Sequence, residues 1–136
     1  MIPVAFTTPI PALIADLPAR LASHGIPEPV VRRRTPSPRP HRFVLLRDDG
    51  GPRAEDVHRL VRVGVQVWAT YPNGDTDWDG LAVLAKWTQF EMENAKAFIP
   101  QISAATQSNG SYPVVDESGT EYRYFTLEYL MRGEAA

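Results

Sequence analysis

Between Arg59 and Ala69 the chain reads Arg-Leu-Val-Arg-Val-Gly-Val-Gln-Val-Trp-Ala, with Val61, Val63, Val65, Val67 and Ala69 at every second position. A strand turns successive side chains to opposite faces, so this spacing lays a valine row on one side. Leu60, Arg62, Gly64, Gln66 and Trp68 fall on the other. β-Branched residues at that period fit a pleated surface better than a helix. The chain is thereby committed to a sheet with one buried face, and the remaining segments must supply its cover.

Two segments have the spacing to do so. Ile10, Leu13, Ile14, Leu17 and Leu21 recur at helical intervals after Thr8, a candidate N-cap, and Pro9, at the first helical position; Gly25 marks the stop. Pro18 lies inside this run and is expected to kink or shorten the helix, because it removes one backbone donor. Asp77 is a good N-cap for a second helix from Trp78 to about Phe98, which Pro100 terminates. Val83, Leu84, Trp87, Phe90 and Phe98 are its expected apolar side.

The other strands are read more locally. Val30 to Arg34 is short and β-prone, and Thr35-Pro-Ser-Pro-Arg-Pro after it cannot continue a ladder, so residues 35–40 are expected as an extended loop. His41 to Arg47 is a strand ending in the turn residues Asp48-Asp49-Gly50-Gly51. Residues 105–111 form a polar linker. Tyr112 to Asp116, the turn Glu117-Ser-Gly-Thr and Glu121 to Met131 then close the chain as a hairpin, with Phe125, Leu127, Tyr129 and Met131 on one side. The expected architecture is α+β: a mainly antiparallel sheet of four or five strands with two helices packed on one face. At 136 residues the chain fits one domain, 1–136, around one core.

The function classes narrow by what the residues do not provide. With no cysteine there is no disulfide framework, thiolate zinc site or cysteine nucleophile, which fits a reducing place of assembly. The opening Met-Ile-Pro-Val-Ala-Phe-Thr-Thr-Pro lacks the basic start and apolar run of a signal peptide. No stretch approaches the roughly 18 apolar residues of a membrane span. The expectation is a protein neither exported by a standard signal nor embedded.

Asp75-Thr-Asp-Trp-Asp-Gly matches the opening half of a calcium-binding loop, but Lys86 stands where the bidentate glutamate belongs. Acids at a helix start, favoured by the macrodipole, are the better reading. His24, His41 and His58 share no metal-ligand spacing and read as solvated or capping residues. No serine sits in a nucleophile elbow, no glycine loop is built for phosphate, and Glu91 and Glu93 point to different sides of a helix. Trp68, Trp78 and Trp87 are read as core or core-edge residues rather than an interface set. No cofactor or metal is implied, and a non-enzymatic protein is expected.

Charge is the more informative feature. Residues 1–70 hold ten arginines against six acids, and residues 71–136 hold four basic residues against ten acids. Such a split suits head-to-tail contact between copies, unless folding mixes the two signs over one surface. Arg32, Arg33, Arg34, Arg39 and Arg42 are interleaved with prolines as a candidate interface loop. It would meet an acidic protein surface or make non-specific contact with nucleic acid, or else serve as a charged edge that discourages aggregation.

Taken in order, these elements resemble the tail terminator proteins of long-tailed, siphovirus-type bacteriophages, a family related in fold to the phage lambda tail terminator. The resemblance covers most of the chain. It rests on the helix Pro9 to Gly25, the proline-broken basic segment Val31 to Pro40, the strand Leu60-Val-Arg-Val-Gly-Val-Gln-Val-Trp-Ala and the helix after it. The closing part adds Asn109-Gly-Ser-Tyr-Pro-Val-Val-Asp and Tyr124-Phe-Thr-Leu-Glu-Tyr-Leu-Met-Arg-Gly. The resemblance implies a structural virion protein at the tail–neck junction, assembled in the host cytoplasm as a homo-hexameric ring. That ring would cap the tail tube protein, stop its polymerisation and offer its other face to head-completion and neck proteins. The arginines would then face either the DNA-filled lumen or the tube. A head-closure or head–tail adaptor protein of the neck is the alternative within this class, and a small nucleic-acid-binding module is the alternative outside it.

Overall fold

The valine row lies at the middle of the sheet. A computed structural model of the chain describes residues 4–55 and 57–135; Met1 to Pro3 of the opening stretch, Asp56 and Ala136 lie outside the described residues. In chain order the elements are β1 (Val4–Ala5), α1 (Ile10–Ala22), β2 (Val30–Arg32), β3 (Arg42–Gly50), β4 (Arg53–Glu55) and β5 (His58–Ala69). There follow α2 (Trp78–Glu93), a turn of 3-10 helix (Ala95–Ala97), β6 (Ile102–Val115), β7 (Glu121–Arg132) and β8 (Glu134–Ala135).

The main sheet runs β2-β3-β5-β7-β6, with β4 paired beside β3 on β5, and β1 and β8 form a separate two-stranded pair. The α+β class is as expected from the sequence. The sheet is mainly antiparallel, as expected, but it has six strands where four or five were expected, and it is mixed, because β2 runs parallel to β3 while the other pairs are antiparallel. A parallel neighbour needs a connection that carries the chain back along the sheet, and the proline-rich segment between β2 and β3 serves that purpose.

Val61, Val63, Val65, Val67 and Ala69 are all buried, together with Val44 and Leu46 of β3 and Phe125, Leu127, Tyr129 and Met131 of β7. Ile10, Leu13, Leu17 and Leu21 of α1 and Leu81, Leu84, Ala85 and Met92 of α2 join this same cluster, so both helices cover one face. The Tyr129 hydroxyl, deep in the cluster, donates to the Met92 carbonyl at 2.6 Å and thereby ties β7 to α2. Burial drives that phenol's pKa far above its ordinary value.

Several local expectations are corrected. α1 starts at Ile10 with Pro9 at the cap position, while Thr8 Oγ1 accepts from the Ile10 N–H at 3.3 Å. It continues past Pro18 to Ala22. α2 ends at Glu93 and a 3-10 turn takes over before Phe98. Val83 and Phe90, expected on its apolar side, are exposed. The helix has apolar residues on more than one side, and contact with β5 and β7 selects the Leu81–Leu84–Ala85–Met92 side. Residues 105–111 are not a linker but the middle of β6, whose ladder with β7 compensates for their weak apolar patterning. Among the described residues no helix is long and apolar enough to cross a membrane.

Candidate functional site

The five arginines singled out by the sequence are divided among three places. β2 ends after Arg32 because Thr35-Pro-Ser-Pro cannot extend a ladder, which leaves Arg32, Arg33 and Arg34 exposed at one edge of the sheet. Arg32 donates to the Val31 carbonyl at 2.7 Å. Arg33 and Arg34 make no ion pair among the described residues.

Arg39 belongs to the helix-free face. Its guanidinium lies over the Trp68 ring at 4.9 Å and the Phe43 ring at 5.7 Å. Phe43 and Trp68 stack at 5.4 Å, and Trp68 and Tyr122 at 4.3 Å. These three rings sit side by side on β3, β5 and β7, so the proline-rich loop folds over the sheet and closes this corner with a cation–π lid. Trp68 is accordingly buried, as expected.

Arg42, at the start of β3, is half-buried and pairs with Asp77 Oδ2 at 3.2 Å. Asp77 is the N-cap of α2, and its Oδ1 accepts from the Gly80 N–H at 3.0 Å. A Cβ at position 80 would overlap that carboxylate, which is why glycine stands there. Asp75 is held in the preceding turn by Asn73, at 3.0 Å through side chain and backbone alike. Asp75 is therefore engaged in a turn and Asp77 in a cap and an ion pair, while Asp79 stands exposed in the first turn of α2; no group of three metal-ligating residues forms among the described residues.

A second cluster lies between the helices and was not foreseen. Glu91 is buried and accepts from Arg20 Nε at 2.9 Å, while its other oxygen lies 2.9 Å from His24 Nε2. The His24 ring stacks on Trp87 at 4.0 Å, and Arg20 lies over Phe98 at 4.5 Å. His24 is thus a packing and bridging residue rather than a solvated one. Arg20, in the last turn of α1, and His24, in the turn just after it, were the available signal; their partner came from a helix distant in sequence. Burial raises the Glu91 pKa, but hydrogen bonds from Arg20 and His24 outweigh it and hold the carboxyl below its ordinary value.

The helix-free face also carries an open recess of about 430 Å³ lined by Asp49, Arg62, Gln107, Asn109, Thr126, Leu127 and Glu128. Its charges are already paired: Arg62 with Glu128 at 3.3 Å, and Asp49 with Arg47 at 2.6 Å. Thr106 Oγ1 donates to Glu128 at 2.9 Å. These groups neutralise one another instead of converging on a reacting atom.

At the far edge of the sheet stands β6. Its sequence Ile-Ser-Ala-Ala-Thr-Gln-Ser-Asn-Gly-Ser-Tyr-Pro-Val-Val contains no charged residue. Three register shifts against β7 interrupt it, and bulges of this kind blunt an edge only in part. The division of charge seen along the chain is only partly kept in space, because Arg39 of the basic segment shares a recess with Ser118, Gly119 and Thr120 of the β6–β7 turn and, after hydrogen bonds from Ser118, helps hold the Asp116 carboxyl below its ordinary value. Residues 29–47, around β2 and β3, contain six arginines and no acid, whereas residues 97–122, around β6, contain three acids and no base.

The class these features define is a helix-backed α+β platform whose two edge strands differ, β2 leading into an arginine run and β6 carrying no charged residue. In sequence comparisons no family model and no curated protein matches the chain.

Proposed function

We propose that the chain is a tail terminator: a structural, non-enzymatic subunit that assembles as a homo-hexameric ring. The ring caps the tail tube of a long-tailed phage, stops its polymerisation and joins the tail to the head–neck proteins at the tail–neck junction of the virion. The element order that resembles this family motivates the reading. The observation that carries it is the difference between the two edge strands of the sheet, basic at Arg32 to Arg34 beside β2 and uncharged along β6. A subunit that meets its neighbour through different surfaces repeats head to tail, and such contacts close into a ring when the rotation between copies permits.

The experiment is the solution mass of the purified chain with and without tail tubes. A ring that binds tubes supports the terminator reading; a ring that binds portal-bearing heads and not tubes replaces it with the neck-adaptor reading. Arg33 and Arg34, exposed and without an ion pair among the described residues, also favour, as a second reading, non-specific contact with DNA. A monomer that shifts duplex DNA near physiological salt, and never assembles, would displace the ring.

A further inference from the structure

Both helices cover one face of the sheet, and the strand register sorts the side chains of the other face into rows. Leu45, Gln66, Tyr124 and Tyr112 stand opposite one another in turn on β3, β5, β7 and β6, so they share one row. Arg47, Gly64, Thr126 and Asn109 form the next. Arg33 comes in from the end of β2 and closes a recess of about 110 Å³ with Arg47, Gly64, Gln66 and Tyr124. Within it Arg47 Nη2 donates to the Tyr124 hydroxyl at 3.3 Å.

This face is basic. Arg32, Arg33, Arg34, Arg47 and Arg62 stand on it or at its β2 edge, against Asp49 and Glu128. Arg47 and Arg62 already hold those two acids, yet their side chains remain 65% and 68% exposed. A polyanion binding over such a surplus is driven by counterion release. The face also offers a ring: Tyr112 is 56% exposed on β6, directly opposite the half-buried Tyr124. Phe43, Trp68 and Tyr122 are not available, since Arg39 closes that corner. Trp78 is exposed, against expectation, but belongs to the helix side. Tyrosine faces stack unpaired bases while arginines follow the phosphates, and Gln66, Thr126 and Asn109 in the same rows offer uncharged partners to base edges. A duplex keeps its base faces inside the stack and gains from the arginines alone.

We infer that the helix-free face, centred on Arg33, Arg47, Tyr124 and Tyr112, binds single-stranded nucleic acid, with phosphates on the arginines and a base on Tyr112. The face is complete within one copy, so the inference goes beyond the ring reading and does not rest on it. Residues 27–42 contain no Phe, Tyr or Trp, which is why the arginine run by itself points only to non-specific contact; β6 and β7 bring the rings to it.

The test is fluorescence anisotropy on the full chain with a labelled thymidine oligomer of about 20 nucleotides, compared with a duplex of the same length and with inorganic polyphosphate as competitor. The oligomer is expected to bind more tightly than either, with an affinity that falls as salt rises. Tyr112→Ala should weaken oligomer binding about tenfold and leave duplex binding unchanged, and Tyr112→Phe, which keeps the ring, should bind like wild type. Arg33→Gln should weaken binding to all three and reduce the salt slope by roughly one. Both positions are exposed, and a thermal melt confirms folding. No binding, equal affinity for the three polyanions, or unaltered oligomer binding by Tyr112→Ala overturns the inference. So does a Tyr112→Ala variant whose only change is a smaller mass in solution, because the face is then a contact between copies. A chain that assembles and caps tubes without binding the oligomer overturns this inference alone, whereas one that binds it as a monomer and never assembles overturns the ring alone.

Discussion

The imidazole of His24 lies nearly parallel to the indole of Trp87, 13° between planes, and presents Nε2 to the buried carboxylate of Glu91. Arg20 of α1 holds the other oxygen of the same carboxylate at 2.9 Å, so the two helices are joined by an ionic bridge as well as by their leucines. Glu91 has a depressed folded pKa, so the bridge stabilises the fold above the ordinary carboxylate value of 4.5 and loses that contribution as pH falls through the depressed one.

Glu91→Gln is therefore expected to lower stability at pH 7 by about 1.5–3 kcal/mol, the usual range for hydrogen bonds to a charged group. The gap between the variant and wild type should narrow as the pH is lowered through the acid range. Urea unfolding at a series of pH values measures this. A gap that stays constant to pH 2.5 would show that the bridge is not the source.

Asp77 both caps α2 and pairs with Arg42, and two substitutions separate these roles. Asp77→Ala removes both and is expected to cost about 1–2 kcal/mol. Asp77→Asn keeps a good capping oxygen and loses only the charge, so it should retain most of the stability. Equal losses from the two, in thermal melts, would assign the effect to the ion pair.

Two glycines distinguish backbone collision from side-chain crowding. A Cβ at Gly51 would overlap the Leu60 carbonyl, which is part of the β4–β5 backbone and cannot move aside. At Gly64 the nearest atoms are the Tyr124 hydroxyl, an Arg47 nitrogen and an Asp49 oxygen, at 3.1 to 3.4 Å, all at the ends of side chains. Gly51→Ala should cost about 1–3 kcal/mol and Gly64→Ala less than about 1 kcal/mol. The reverse order in denaturant titrations would contradict the packing at both sites.

Tyr129→Phe removes the hydroxyl that satisfies the Met92 carbonyl and leaves that oxygen buried without its donor. The expected loss is about 1–3 kcal/mol, read as a lower denaturant midpoint with an unchanged slope. A variant as stable as wild type would mean that the carbonyl finds another partner.

The elements that were legible in the sequence are those whose pattern is strictly periodic. The valine row, the α1 stripe and the Phe125-Leu127-Tyr129-Met131 face each turn the same side to the core, and burial follows from geometry alone. Asp77 was equally legible, because a cap is a local arrangement of a side chain and a backbone N–H three residues on. β6 was not, since its middle residues Thr106, Gln107, Ser108 and Asn109 have no apolar alternation and become a strand only when β7 offers hydrogen bonds.

The sequence by itself determined the α+β class, the buried face of the sheet, the start of each helix to within a residue or two, and the unequal division of charge. Only the tertiary structure decided how those charges are used. It sent Arg39 onto Trp68, paired Arg42 with Asp77, joined Arg20 and His24 to Glu91, and left Arg33, Arg34 and Trp78 exposed. The physical reason is range: periodicity and capping act over a few residues, whereas ion pairs, ring stacking and edge exposure depend on which distant segments the sheet order makes neighbours.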